Sequence, residues 1–114
     1  MSQNRNKLLA LFTGNIANSV VHSILQQAIE EEILRKHYEK EQSVSMNIAL
    51  KYRQKINPQH SPLPQRDISY ITEKIKRKVK AELNVRISRG YTNINLDLIE
   101  PTIQEFLTDA GVYN

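Results

Sequence analysis

The sequence predicts an all-α protein, a small bundle of three or four helices that forms one domain with a proline-rich crossover loop. Apolar residues recur at intervals of three and four along most of the chain, which is the period of amphipathic helices. Three of the four prolines lie close together, and the three glycines are isolated from one another. A chain of 114 residues can bury a hydrophobic core without disulfides. With no cysteine and no tryptophan, we expect a core of Ile, Leu and Val.

The N-terminal segment 1–7 is polar, and we predict that it is disordered. From Leu8 the apolar spacing predicts a long amphipathic helix that starts at Ile16 or earlier and ends near Glu39. Gly14 is a candidate break in this helix, because glycine costs about 1 kcal/mol in a helix interior.

The apolar surface of this first helix is wider than a single face, because Val21, Leu25 and Leu34 extend the stripe. A helix that is apolar over so much of its circumference usually packs on two sides. In so short a chain we assign the second side to another subunit, and we expect Val21→Glu or Leu25→Glu to separate the subunits without unfolding them. The candidate oligomer interface consists of apolar residues from the first part of the helix: Leu9, Phe12, Ile16, Val20, Val21, Ile24 and Leu25.

A second helix is predicted to begin at Ser43, a good N-cap residue, and to end at Ile56. The segment 57–65 contains Pro58, Pro62 and Pro64 and predicts an extended connector, because the residue before a proline disfavours helical backbone.

The third helix is predicted from an N-cap at Asp67 to about Asn84. One side is aliphatic and the other is basic. The segment 66–91 contains eight cations against three acids, whereas the whole chain has a net charge of only +4. The positive charge of the protein is therefore concentrated in this segment.

The segment 85–91 alternates apolar and polar residues, which predicts a short strand or an irregular turn with a bend at Gly90. A last helix follows, with Pro101 in its first turn, Asp97 as a candidate cap and Gly111 as its terminator. The segment 92–114 has four acids and no cation, so this helix could lie against the basic one and neutralise part of it.

The basic segment is a candidate surface for nucleic acid or another anion. Lysine and arginine neutralise phosphates, and an exposed tyrosine can stack on an unpaired base. The alternative is that these cations are only a solvated helix face. The candidate binding residues are the cations of the basic segment beyond Arg66, together with one tyrosine: Tyr70, Lys74, Lys76, Arg77, Lys78, Lys80, Arg86 and Arg89.

Enzymatic activity has the least support, and we predict no catalytic residues, cofactor or metal. The three consecutive acids Glu30, Glu31 and Glu32 point in different directions around a helix and do not converge on one substrate. His22 and His37 would lie about 20 Å apart on one straight helix, too far apart to share a metal.

We therefore expect a non-enzymatic protein that acts through protein–protein association, most simply as a homo-oligomer, with nucleic-acid binding as the alternative. No apolar run approaches the roughly 20 residues that span a bilayer, so we expect a cytoplasmic protein. Membrane-surface binding is less favoured than nucleic-acid binding, because the basic helix has only Ile and Val beside its cations.

Overall fold

The computed structural model describes residues 4–57 and 61–113. Within these ranges the protein has four α-helices, a single 3-10 turn and no strand, which confirms the predicted all-α class. The elements in chain order are α1 (Arg5–Ala28), α2 (Glu32–Ile56), α3 (Gln65–Ser88), the 3-10 turn Leu96–Leu98, and α4 (Ile99–Asp109).

Helix α1 is the centre of the bundle, and α2, α3 and α4 all pack against it. Half of its 24 residues are buried, and they are distributed around the helix rather than along one stripe. The other long helices each bury a single stripe, such as Ile71, Ile75, Val79 and Leu83 on α3. The bundle is elongated, with principal extents of 44 × 24 × 24 Å.

Contacts between distant residues show the direction of each helix. Helix α2 runs antiparallel to α1, and α3 runs parallel to α1, with Arg5 bound to Asp67 where both helices begin. Helix α4 runs antiparallel to α3, so that Glu100 near its start contacts Lys76 near the middle of α3.

The first helix differs from its prediction at its start and at the expected break. Arg5 to Lys7, predicted to be disordered, are helical, and the Asn4 side chain caps the helix by accepting a hydrogen bond from the Asn6 N–H at 2.7 Å. The helix continues through Gly14 without interruption.

The chain reverses at residues 29–31, so the prediction of one helix reaching Glu39 is wrong. The Glu31 carboxylate accepts hydrogen bonds from the N–H groups of Ile33 at 3.1 Å and Leu34 at 2.8 Å. This carboxylate caps the start of α2 and complements its positive end. Ser43, the predicted N-cap, lies inside α2 instead.

Helix α3 also extends beyond both of its predicted ends. It begins at Gln65, so Asp67 lies in its first turn and forms an ion pair with Arg5 at 2.6 Å instead of capping the helix. It ends at Ser88, so the segment predicted to be a strand or an irregular turn is largely helical. The predicted bend at Gly90 is confirmed by its φ of 101°.

The last helix agrees with its prediction at Pro101 and Gly111 but not at its cap. Pro101 is the third residue of α4, where its missing N–H costs no helical hydrogen bond. Gly111 has a φ of 71° just beyond the helix, which is a left-handed conformation that ends helices readily. The predicted cap Asp97 lies inside the preceding 3-10 turn, which Asn95 caps.

A buried arginine fastens the segment between α2 and α3. Arg53 is 5% exposed and donates hydrogen bonds to Asn57 Oδ1, to the Ser61 carbonyl at 2.6 Å and to the Gly111 carbonyl at 2.8 Å. Burial lowers the pKa of Arg53. Leu63 is buried nearby, whereas Pro58, the first of the clustered prolines, lies outside the described residues. Arg53 therefore connects α2, the segment before α3 and the turn after α4.

We expect Arg53→Met to lower the free energy of unfolding by about 2–4 kcal/mol, because methionine keeps the volume but leaves three acceptors without their donor. Urea unfolding followed by circular dichroism measures this change. Arg35→Met is the matched control, because Arg35 is exposed on the same helix. Equal unfolding midpoints for the two variants would contradict the role assigned to Arg53.

Candidate functional site

The seven residues of the predicted oligomer interface are core residues of the single chain. Each is at most 4% exposed, and Phe12, Ile16, Val20 and Leu25 are fully covered. The prediction assumed that the chain is too short to cover a wide apolar helix, and this assumption is wrong. The turn at residues 29–31 folds α2 back onto α1, and α3 and α4 cover the remaining sides.

The predicted basic site separates into three groups in the structure. The first group faces α4, where Lys76 Nζ lies 2.9 Å from Glu100 Oε1. The hydrogen bond from Lys76 lowers the pKa of Glu100, and the positive charge of Lys80 lowers it further. The acidic last helix therefore neutralises one flank of the basic helix.

The second group is built around Arg86, which is half-buried and structural. Its guanidinium donates a hydrogen bond to Tyr38 Oη at 3.2 Å and lies 5.6 Å from the centre of the Tyr91 ring. The hydroxyls of Tyr38 and Tyr91 are 3.0 Å apart. Burial raises the pKa of Tyr38, whereas hydrogen bonds from Tyr38 and then Arg86 lower the pKa of Tyr91. Arg86 therefore ties the end of α3 to α2, and the charge of the exposed Arg89 also acts on Tyr91.

The third group lies on the open flank of α3 and consists of Tyr70, Lys74, Arg77 and Lys78, which we call the basic surface. Their spacing of four, three and one places them on one face of the helix. All four are exposed. Among the residues that the structure describes, the only cations in ion pairs are Arg5, Lys36 and Lys76. The three cations of the basic surface therefore have no ion-pair partner there.

The basic surface extends from α3 over the middle of α1. The Lys78 ammonium lies against α1 at Gly14, where its Nζ would be 3.6 Å from the Cβ atom of any larger residue. Because Gly14 has no side chain, it leaves room for Lys78 at this point. Lys74 Nζ lies 5.6 Å from the centre of the Tyr70 ring, close enough for a cation–π contact. Helical spacing places Lys76 and Lys78 on the two flanks of the apolar stripe of α3. Only the tertiary structure shows which of these flanks α4 covers.

The histidines are closer together than the sequence predicted. Because α1 and α2 form a hairpin, His22 and His37 lie on different helices, and both rings lie within 5.8 Å of the Tyr38 ring between centroids. In the described part of the chain, no group of three or more His, Asp or Glu residues is arranged to hold a metal ion.

Helix α1 is long and apolar enough to cross a bilayer by length and composition, which the sequence prediction did not anticipate. Most of the apolar stretch of α1 is buried inside the bundle, as in the core helix of a folded domain. This property alone is weak support for a membrane span.

Comparison of the chain with protein-family models, with curated proteins and with solved structures found no match. Helical bundles support many unrelated functions. A functional inference for this protein must therefore come from the chemistry and geometry of its own surface.

We expect Leu25→Ala to lower the free energy of unfolding by about 2–5 kcal/mol, because it leaves a cavity beside the central helix. Ile33→Ala is the control, because Ile33 is 79% exposed, and its effect should stay within about 0.5 kcal/mol. Chemical unfolding of both variants at equal protein concentration measures the difference. A Leu25 variant that dissociates an oligomer but keeps its stability would instead support the interface predicted from the sequence.

Proposed function

We propose that this protein binds nucleic acid through the basic surface of α3, without enzymatic activity. The observation that carries the proposal is the arrangement of Lys74, Arg77 and Lys78. They are three exposed cations on one helix face without ion-pair partners among the described residues. Cations that already have a carboxylate partner gain less from binding a phosphate, so unpaired cations are the better candidates.

The basic surface is short and rigid. Lys78 lies eight positions after Tyr70, which corresponds to about 12 Å along a helix and to contact with only a few nucleotides. Side chains on a packed helix are better positioned than side chains on a loop. We therefore expect modest affinity, with most of the binding free energy coming from phosphate neutralisation and counterion release.

Tyr70 favours unpaired bases over a duplex. Its side chain is 49% exposed at the end of the basic surface, and aromatic rings in this setting serve as stacking platforms for single strands. The Lys74 ammonium lies over this ring, so a base that stacks on Tyr70 would take its place on the ring face and leave the ammonium close to the phosphate of that base. The arrangement combines an aromatic ring for base stacking with cations for the phosphates, which are the two elements of sequence-independent binding to single-stranded nucleic acid.

The acidic helix α4 restricts how a polyanion can approach. Glu100 and Glu105 are exposed on this helix, and Glu100 lies on the flank of α3 opposite the basic surface. Because Glu100 already pairs with Lys76, that flank attracts phosphates less strongly than the flank that carries the basic surface. The charge asymmetry therefore orients the nucleic acid along the open flank of α3.

Self-association as a homo-oligomer is the second candidate function. The residues first assigned to it are buried, but Val44 and Ile48 are 44% and 37% exposed on α2. These two side chains, rather than those of α1, are what now supports self-association.

We expect the triple variant Lys74→Gln, Arg77→Gln, Lys78→Gln to bind labelled single-stranded DNA or RNA more weakly than the unmodified protein. The slope of log affinity against log salt should become shallower by about 2, since each phosphate contact on a single strand contributes about 0.7. Fluorescence anisotropy titrations over a series of salt concentrations measure both quantities.

The control for this experiment is Arg35→Gln, Lys36→Gln, Lys40→Gln, which removes the same charge from exposed positions on α2. It should keep most of the affinity, because binding depends on the location of the cations and not only on the net charge. Equal losses for the two triple variants would reject a defined site on α3, as would binding that does not depend on salt.

Tyr70→Ala tests the stacking contact separately. We expect it to weaken single-strand binding by about 1–3 kcal/mol and to leave the weaker binding to a duplex unchanged, because a paired base cannot stack on the ring. Tyr70→Phe should restore single-strand affinity, since it retains the ring. Equal effects of Tyr70→Ala on both nucleic acids would contradict the stacking role.

A further inference from the structure

Helix α2 has an outward face on which residues recur at alternating intervals of four and three, the spacing of a two-helix seam. The neighbouring face of α2, about 100° around the helix, contains Tyr38, Ser45 and Ala49 and is buried in the bundle. All residues of the outward seam are exposed except Glu41, which is half-buried. The seam consists of His37, Glu41, Val44, Ile48, Lys51 and Lys55.

The centre of the seam is apolar and no part of the described chain covers it fully. Val44 and Ile48 lie one turn apart and keep 44% and 37% of their surface exposed. Single exposed apolar residues are common on protein surfaces and need no partner. The arrangement of charges on both sides of this apolar pair is what indicates a partner.

The charges are complementary to a second copy of the same helix in the opposite direction. Val44 and Ile48 lie two residues on either side of position 46, and Glu41 and Lys51 lie five residues on either side of it. An antiparallel pairing centred there places Val44 opposite the partner subunit's Ile48 and Glu41 opposite the partner subunit's Lys51. In a parallel pairing, Glu41 would face the partner subunit's Glu41, which is repulsive.

We propose that two copies of this chain associate through the seam of α2, antiparallel and about a two-fold axis beside position 46. Neither Glu41 nor Lys51 has an ion-pair partner among the described residues of its own chain. Because a two-fold interface repeats each contact, the dimer contains two Glu41–Lys51 pairs and two Val44–Ile48 contacts. The next layer, His37 opposite the partner subunit's Lys55, contains no acid and adds no ion pair.

This inference rests on self-association, the second candidate function, and names its interface. It does not use the basic surface on α3, so a dimer would carry two such surfaces. Loss of nucleic-acid binding in the α3 variants and loss of dimers in the α2 variants are separate outcomes that can be measured on the same preparations.

Sedimentation velocity of the full chain over a wide concentration range tests the interface. The unmodified protein should show a reversible monomer–dimer equilibrium. Val44→Glu should raise the dissociation constant at least about tenfold, because it places a charge in the apolar centre of the seam. Asn47→Glu is the control, since Asn47 is exposed outside the seam on the same helix and should leave the equilibrium unchanged. Circular dichroism of both variants checks that the helices are intact.

A charge exchange tests the antiparallel register. Glu41→Lys alone and Lys51→Glu alone should each weaken the dimer, because each creates two like-charge contacts. The double variant should recover the affinity of the unmodified protein, since every pair is then restored with opposite sign. Glu39→Lys, on another side of α2, should have no effect.

Three results would overturn the proposal. A protein that stays monomeric at every concentration would reject self-association itself. A dimer that Val44→Glu does not weaken would reject this interface while keeping self-association. A double variant no better than the weaker of its two single variants would reject the antiparallel register.

Discussion

The burial of α1 is the constraint on which the rest of the structure depends. Half of its residues are buried, and they occupy more of its circumference than one neighbouring helix can cover. Each fully buried Leu, Ile or Phe side chain contributes about 1.5–3 kcal/mol relative to an exposed one, so an uncovered side would be costly. Three other helices therefore surround α1, and each of them needs only one apolar stripe. This division explains why the most apolar helix of the chain lies at the centre of the bundle.

Two arginines connect the helices near their ends. Arg53 bonds to carbonyl groups before α3 and after α4, and Arg86 bonds to a tyrosine on α2. Both side chains connect segments that are far apart in sequence. Basic residues therefore serve two purposes in this protein, since some connect helices and others are exposed at the surface.

The free surfaces are divided between the two helices that lie on either side of α1. Helix α3 presents an exposed tyrosine and cations that have no ion-pair partner in the described part of the chain, and α2 presents a short apolar centre between an acid and a lysine. The two surfaces use different chemistry, so phosphate binding and self-association do not compete for the same residues. If both proposals hold, a dimer would bind two stretches of nucleic acid, or one strand at two places, with the increased avidity that linkage provides.

The sequence by itself determined the helical class, the core residue types and the location of the positive charge. These properties follow from local periodicity and composition, which do not depend on distant contacts. Helix ends were harder to predict, because several neighbouring residues can each serve as the cap of the same helix. The acidic run that contains Glu31 is compatible with an uninterrupted helix by propensity, yet the Glu31 carboxylate caps the start of a new helix, α2. Gly14, a helix breaker by propensity, stays within α1 because packing of the whole helix outweighs a local cost of about 1 kcal/mol.

Only the tertiary structure decided which apolar residues are covered and which cations are free. The sequence predicted that Leu25 and its neighbours face another subunit. In the structure α2 covers them, because the chain turns at residues 29–31, and this turn was not predicted. Lys76 and Lys78 are the same type of residue and lie two positions apart. One pairs with Glu100 and the other crosses α1 beside Gly14, because helices from distant parts of the chain lie on opposite flanks of α3. Whether a lysine on α3 is paired or exposed depends on contacts with helices that are distant in sequence. Local sequence patterns do not specify those contacts.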